Sequence, residues 1–287
     1  MQHVSGNDQP IGIFDSGLGG LTVLASVAQR LPAENLLYLG DTARVPYGTR
    51  APDTVRRYAQ RVAGHLFRRG IKTLVIACNT ATTWALPELR AAGAARGIPV
   101  IGVVEPGVEA ALAVTTHGRM AVIGTEGTVR GGAYARALRA LRPELYLHAL
   151  ACPLFVALAE EGWNEGDIAD LAAERYLGHL RETDLDTLIL GCTHYPLLRG
   201  SIARALPEVQ LVDSASATAE ALARALAEGG LERRGGAGSR HYLVTDHVDR
   251  FTRVGARFLG HAPQSVELVD LDDRDGEAFL PPGSDRP

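Results

Sequence analysis

Short apolar runs alternate with amphipathic segments along the chain from residue 11 to residue 259. Runs rich in Val, Ile and Leu are typical of strands buried on both faces of a sheet. The segments between them repeat apolar positions every three or four residues, which predicts helices packed on that sheet. Parallel strands need such crossover helices, so the pattern predicts an α/β fold. The predicted strands are residues 11–14, 36–39, 74–77, 99–104, 120–125, 146–151, 188–191, 209–212 and 241–245.

The order of elements begins again near the middle of the chain. Residues 11–78 and 120–192 each give a strand, a turn, a helix and later a strand that ends in a cysteine. We therefore predict two similar doubly wound α/β domains with parallel sheets and an active site in the cleft between them. The first domain comprises residues 10–105 and 214–265, and the second comprises residues 106–213. The polar leader, residues 1–9, and the acidic tail, residues 271–287, are predicted to be disordered.

Composition narrows the class of protein. The 287 residues are 46% hydrophobic and 22% charged, which is ordinary for a globular protein with two cores. The net charge of −4 gives no basic field, so nucleic acid is not an expected partner. No apolar run approaches the ~20 residues that span a bilayer, so no membrane association is expected. Three cysteines without a close pair, and no secretory signal, predict a cytoplasmic location.

Cys78 and Cys192 occupy matching places in the two halves. Each follows an apolar strand and precedes a polar pair and a predicted helix, residues 81–96 and residues 196–206. Open α/β sheets bind ligands at that edge, and a helix N-terminus lowers the pKa of a thiol. Two thiols contributed by separate halves suggest a two-base racemisation. One would remove a proton from a carbon while the other returns a proton to the opposite face.

Each thiol needs an assisting group. Asp15 ends the first strand and can assist Cys78, and His194 follows Cys192 by two residues. The glycine-rich turn at residues 17–20 offers backbone N–H groups to a carboxylate. Asn79, Thr80 and Thr193 could stabilise the charge that develops as an α-proton leaves.

Structural interpretations of the same residues stay open at this stage. A buried cysteine is commonly a small core residue, and Asp15 could serve only as a turn or cap residue. His194 could be a hydrogen-bonded structural histidine, and Tyr47 could belong to an ordinary turn. Cys152 precedes Pro153 without a polar pair and is predicted to be a packing residue. No zinc-like cysteine spacing occurs, so no metal site is predicted.

At these residues the chain resembles the aspartate/glutamate racemase family, and within it the glutamate racemases. The resemblance spans roughly residues 11–260, in the family's order. It is carried by FDSGLGGLT at residues 14–22, DTARVPYG at 41–48, ACNTAT at 77–82, VEPG at 104–107 and GCTHYP at 191–196, with further similarity at 152–155 and 160–163.

The resemblance implies a glutamate racemase that needs no cofactor, two domains that close on the substrate, and a possible homodimer. It further implies that the enzyme supplies D-glutamate for peptidoglycan. The implied catalytic residues are Cys78, Cys192, Asp15 and His194. The implied substrate-binding residues are Asp15, Ser16, Tyr47, Gly48, Asn79, Thr80, Thr193, His194 and Glu160.

Two alternatives remain beside this interpretation. One is a related racemase of the same fold that acts on aspartate or a hydantoin. The other is a binding protein that retains the fold, because some members of the family are linked to gyrase inhibition. Ala157 and Ala159 depart from the family's usual pattern, which leaves the helix geometry near Glu160 open.

Overall fold

The computed structural model describes residues 6–279 and contains two sheets whose strands pair in parallel. The first half contributes β1 (Ile11–Asp15), β2 (Leu36–Gly40), β3 (Thr73–Ile76) and β4 (Val100–Gly102). The second half contributes β5 (Met120–Gly124), β6 (Leu147–Ala151), β7 (Thr187–Gly191) and β8 (Gln210–Asp213). The C-terminal part adds β9 (Arg240–Val244) and β10 (Val266–Leu268).

Helices connect these strands. They are α1 (Leu21–Arg30), α2 (Pro52–Arg68), α3 (Asn79–Ala94), α4 (Val104–Val114), α5 (Glu126–Gly131), α6 (Ala133–Leu141), α7 (Leu154–Glu161), α8 (Asp167–Leu177), α9 (Arg199–Ala205), α10 (Ser214–Glu228), α11 (Val248–Leu259) and α12 (Asp273–Phe279). Within residues 6–279, none of the helices has the length and apolar character needed to cross a membrane.

The two sheets share one topology. The larger sheet has the strand order β10-β9-β2-β1-β3-β4, and the smaller has the order β6-β5-β7-β8. In each half the first strand lies at the centre, between the second and third strands, and the fourth strand lies outside the third. The predicted α/β fold with two similar parallel sheets is therefore confirmed.

Burial explains why the strands read as continuous apolar runs. All five residues of β1 are buried, because helices cover both faces of the sheet. One apolar cluster joins the halves, since it includes Leu24 of α1, Leu188 of β7 and Phe251 of α11. This shared core holds the carboxyl ends of the two sheets against each other.

Three boundaries differ from the sequence predictions. The strand predicted at residues 99–104 ends at Gly102, and α4 begins at Val104, because Pro106 is tolerated in a first helical turn. The helix predicted over residues 128–140 is divided into α5 and α6 at Gly132, whose φ is 62°. Cys192 precedes a short 3₁₀ helix, Tyr195–Leu198, before α9 begins, so its predicted place at an α-helix N-terminus is wrong.

The prediction of a disordered tail is wrong for residues 273–279, which form α12 on α2. The carboxylate of Asp275 is buried there, 3.1 Å from His65 Nδ1 and in contact with the guanidinium of Arg68. An acidic composition predicts solvation, and it cannot reveal the cationic partner that the folded chain supplies. At the other end, the carbonyl of Asn7 accepts a 2.7 Å hydrogen bond from Lys72 Nζ. Residues 1–5 and 280–287, also predicted to be disordered, lie outside the described residues.

Candidate active site

Cys78 is the N-cap of α3. Its buried Sγ accepts a hydrogen bond from the backbone N–H of Ala81 at 3.4 Å and lies 3.6 Å from Ser16 Oγ. Burial, and then the charge of Asp15, raise the pKa of Cys78 to about 12, although the bond from Ala81 acts in the opposite direction. The expectation of a lowered pKa is therefore wrong for Cys78, because desolvation exceeds the effect of the helix terminus. Cys78 is a thiol at neutral pH.

Asp15 lies behind Cys78 at the end of β1. Its side chain is buried, and Oδ2 accepts a hydrogen bond from the N–H of Gly17 at 2.9 Å. Burial raises the pKa of Asp15, while His194 and backbone donors oppose the rise. Within residues 6–279, Oδ1 is buried without a hydrogen-bond partner. Asp15 can therefore exchange a proton more readily than a solvated carboxylate could at neutral pH.

Cys192 and His194 form a pair at the end of β7. His194 Nδ1 lies 3.8 Å from Cys192 Sγ, and His194 Nε2 lies 3.2 Å from Glu160 Oε1. Burial favours the neutral ring, but the hydrogen bonds with Cys192 and Glu160 raise the pKa of His194 to about 10. His194 is therefore an imidazolium at neutral pH, and it places a positive charge beside the sulfur of Cys192.

The two cysteines line one small cavity of about 40 Å³ between the sheets. Its remaining walls come from both halves: Ser16, Val45, Pro46, Tyr47, Gly48, Asn79, Thr80, Thr125, Val156, Thr193 and His194. A cavity needs roughly 10–15 Å³ to hold a water molecule, so this one holds only a few.

Polar contacts close the cavity between the halves. Thr80 Oγ1 lies 2.9 Å from Thr125 Oγ1, and the hydroxyl of Tyr134 donates a 2.7 Å hydrogen bond to Asn79 Oδ1. A Cβ added to Gly19 would lie 2.5 Å from the His194 ring, so only glycine fits there. The glycine-rich turn thus packs against the loop that carries Cys192.

Nine predicted site residues line the cavity, and two do not. Asp15 lies behind its wall, and Glu160 lines a neighbouring cavity of about 350 Å³ while it contacts His194. Tyr47 lines the cavity that holds both cysteines, but its hydroxyl donates a 2.6 Å hydrogen bond to Asp41. Helix α7, which carries Glu160, is continuous through Ala157 and Ala159.

Sequence reasoning missed four lining residues: Val45, Pro46, Thr125 and Val156. Thr125 follows β5 directly, so the rule that polar residues at strand ends form the site could have found it. Pro46 lies within the sequence DTARVPYG at residues 41–48. Val156 gave no signal, because only the packing of α7 brings it to the cavity.

The third cysteine, Cys152, lies outside this cavity. Cys152 is buried, and its carbonyl accepts a hydrogen bond from the hydroxyl of Tyr195 at 2.9 Å, as a packing position would. Among residues 6–279, no three His, Cys, Asp or Glu side chains are arranged to hold a metal ion.

Comparisons with known proteins agree with this architecture. Residues 11–222 match the family model described as Asp/Glu/Hydantoin racemase. The chain is 52% identical over 264 residues to a glutamate racemase of Geobacter metallireducens, covering 91% of this chain and 97% of that protein.

Solved structures give the same result. A glutamate racemase of Francisella tularensis in complex with D-glutamate superposes with a TM-score of 0.87 at 36% identity, covering 93% of this chain and 99% of that one. A glutamate racemase isoform of Bacillus anthracis gives a TM-score of 0.88 at 38% identity, covering 92% of this chain and 98% of that one. The family match covers most of the chain and the relatives are similar along nearly their whole length, so this chain belongs to the Asp/Glu/Hydantoin racemase family.

Proposed function

We propose that this racemase interconverts L- and D-glutamate by moving the α-proton between two thiols. The observation that carries the proposal is that Cys78 and Cys192 line one cavity from separate halves of the fold. Each has its own assisting group, Asp15 on one side and the His194–Glu160 pair on the other. A site that only bound its ligand would have no use for a proton-transfer pair on each side.

The groups around the two thiols support a division of roles. Cys192, with the imidazolium of His194 beside it, acts as the thiolate base that removes the α-proton of one enantiomer, and it becomes a thiol. The electron pair of the broken C–H bond is delocalised into the substrate carboxylate. Cys78, already a thiol, donates its proton to the opposite face and becomes a thiolate, with Asp15 beside it to help restore the proton. The reverse direction uses the same groups in exchanged roles.

Asn79 is the best-placed donor for the substrate carboxylate. Its Nδ2 is buried without a hydrogen-bond partner among the described residues, while its Oδ1 is held by Tyr134. An unsatisfied buried donor is costly, so a ligand that accepts its hydrogen bond gains affinity. Thr80 and Thr193 line the same cavity and can supply hydroxyl groups. Hydrogen bonds of this kind would stabilise the charge as it moves onto the carboxylate.

Glutamate is the proposed substrate because the relatives similar over nearly the whole chain bear the name glutamate racemase. The test uses the purified protein with no added cofactor, and follows optical rotation or circular dichroism from L-glutamate, D-glutamate and L-aspartate. We expect both glutamate enantiomers to reach the racemic mixture and aspartate to remain unchanged. Faster racemisation of aspartate would assign the chain to another substrate, and glutamate binding without racemisation would favour a binding protein.

Four parts of the account stay predictions: independence from a cofactor, supply of D-glutamate for peptidoglycan, a cytoplasmic location and a homodimer. The racemisation assay tests the first prediction when the protein has been dialysed exhaustively against a chelator and hydroxylamine. Activity that persists after this treatment would show that no bound metal or pyridoxal group is needed.

A further inference from the structure

A chain of contacts between charged side chains runs from Cys192 through His194 and Glu160 to Arg250 at the surface. His194 lies between Cys192 Sγ and Glu160 Oε1, and the second carboxylate oxygen of Glu160 accepts a hydrogen bond from Arg250 Nη2 at 2.7 Å. Each carboxylate oxygen of Glu160 therefore contacts a different side chain: Oε1 contacts His194, and Oε2 contacts Arg250. The carboxylate side chain is 16% exposed and that of Arg250 is 42% exposed, so the pair sits at the edge of the protein rather than in its core.

The arginine and the carboxylate belong to different halves of the fold. Glu160 lies on α7, which joins strands of the smaller sheet, whereas Arg250 lies on α11, which packs against α1 and β10 of the larger sheet. Arg257, also on α11, donates to the backbone carbonyl of Glu160. Phe258 of the same helix meets the His194 ring edge-on, with centroids 5.4 Å apart. Helix α11 thus fixes both the carboxylate and the ring.

The electrostatics agree with this geometry. Burial alone would raise the pKa of Glu160, but the hydrogen bonds and charges of His194 and Arg250 bring it below its ordinary value. The charged or titratable groups around His194 are Cys192 beside it, Glu160 from α7 and Asp15 from β1, with Arg250 and Arg257 of α11 acting through Glu160. On the opposite side of the cavity, burial raises the pKa of Cys78, as do Asp15 and Cys192, and the hydrogen bonds with Ala81 and Ser16 lower it.

We propose that Arg250 is a positioning residue for proton transfer at Cys192. It holds the carboxylate of Glu160 against His194 across the two halves, and so keeps a charged imidazolium beside Cys192. The proposal rests on the two-thiol function described above and adds an asymmetry to it: Arg250 serves the Cys192 side and not the Cys78 side. Because Arg250 and Glu160 belong to different halves, their hydrogen bond forms only when the two halves are in contact.

Isotope effects separate such a role from a general structural one. Because L- and D-glutamate are equally stable, kcat/KM must fall equally in both directions for any variant, so rates alone cannot locate the defect. A slower step at Cys192 increases the α-deuterium isotope effect for the enantiomer whose α-proton goes to Cys192. It decreases that effect for the other enantiomer, because the slow step is then donation of a solvent-derived proton by Cys192.

The experiment compares Arg250→Gln with Arg250→Lys and with Arg253→Gln, a change at an exposed arginine on the same helix. We expect Arg250→Gln to lower kcat/KM by about tenfold, from loss of one charge-assisted hydrogen bond. The two α-deuterium isotope effects should move in opposite directions. Arg250→Lys should recover most of the activity, because it keeps the charge, and Arg253→Gln should match the wild type.

The pH dependence gives a second readout. Arg250 lowers the pKa of Glu160, so its removal raises that pKa, and the acid limb of kcat should move to higher pH. Carbon-13 NMR titration of the Glu160 carboxyl, assigned with Glu160→Gln, should give a higher pKa in Arg250→Gln than in the wild type. This titration does not depend on turnover.

Two results would overturn the proposal. One is an Arg250→Gln variant with unchanged isotope effects, acid limb and carboxyl titration. The other is an equal fall in kcat/KM in Arg250→Gln and Arg250→Lys with an unchanged pKa of the Glu160 carboxyl. That result would show that Arg250 has only a packing role. If the wild type does not racemise glutamate, the proposed function fails, whereas the carboxyl titration still decides whether Arg250 controls Glu160.

Discussion

Replacing Tyr134 with Phe removes one hydroxyl from the contact between the halves. Tyr134 is 2% exposed, and its hydroxyl donates the 2.7 Å hydrogen bond that fixes Asn79 Oδ1. In the variant, Oδ1 is buried without that donor, and the amide is free to rotate away from the orientation in which Nδ2 is proposed to meet the substrate carboxylate. The ring itself remains, so the packing of Tyr134 against the buried cluster around Val104 and Ile189 is preserved.

The size of the effect follows from the loss of one buried neutral hydrogen bond. Leaving the acceptor Oδ1 of Asn79 unpaired costs about 1–3 kcal/mol. This cost lowers the free energy of unfolding, and the loss of a fixed amide orientation weakens the binding of substrate. We expect the protein to lose about 1–2 kcal/mol of stability and KM to rise up to about tenfold, with a smaller fall in kcat. The rise in KM should be seen with both enantiomers, because Asn79 is proposed to bind the carboxylate that they share.

The assay follows racemisation by circular dichroism from each enantiomer, and stability by urea denaturation. A double-mutant cycle with Asn79→Ala isolates the contact, because Tyr134→Phe should have little further effect on KM once the amide is absent. An unchanged KM in Tyr134→Phe would refute the positioning of Asn79. An equal rise in KM in the Asn79→Ala background would place the effect of Tyr134 elsewhere.

Three further outcomes follow from the same geometry. Cys78→Ser and Cys192→Ser should each abolish racemisation while urea unfolding stays close to that of the wild type; an active single variant would remove the two-thiol assignment. Gly19→Ala should lower activity strongly because its Cβ meets the His194 ring, whereas Gly6→Ala, with open space around it, should not; equal behaviour of the two would disprove the close approach. The pKa of His194 is raised to about 10, so the imidazolium is present below that pH, and activity should fall as pH rises through it; a loss of activity centred near pH 6.5 would contradict the raised value.

The sequence predicts several of the side chains that share the cavity, because the rule involved is geometric. Parallel strands bring their carboxyl ends to one edge, so the apolar runs before Cys78 and Cys192 predict both cysteines at the sheet edges. The same rule accounts for Asn79, Thr80 and Thr193, which follow those strands and line the cavity. Its neglect at β5 explains why Thr125 was missed.

Features that depend on packing could not be predicted in this way. The pKa of Cys78 depends on how deeply the thiol is buried, and a helix N-terminus alone indicated the wrong direction. No motif in the sequence indicates a role for Arg250, because its partner Glu160 lies 90 residues away in the chain. The ordered helix α12 depends likewise on Arg68, a distant cation that pairs with Asp275 within an acidic segment, and on His65, whose Nδ1 lies 3.1 Å from the same carboxylate.

Racemisation in deuterium oxide, sampled at low conversion, tests the central claim most directly. If separate thiols serve the two faces of the α-carbon, the product enantiomer formed from protiated glutamate carries deuterium at that carbon, while the unreacted substrate retains protium. If product formed early in the reaction keeps the original proton, or substrate and product gain deuterium at the same rate, a single group moves the proton and the account is contradicted.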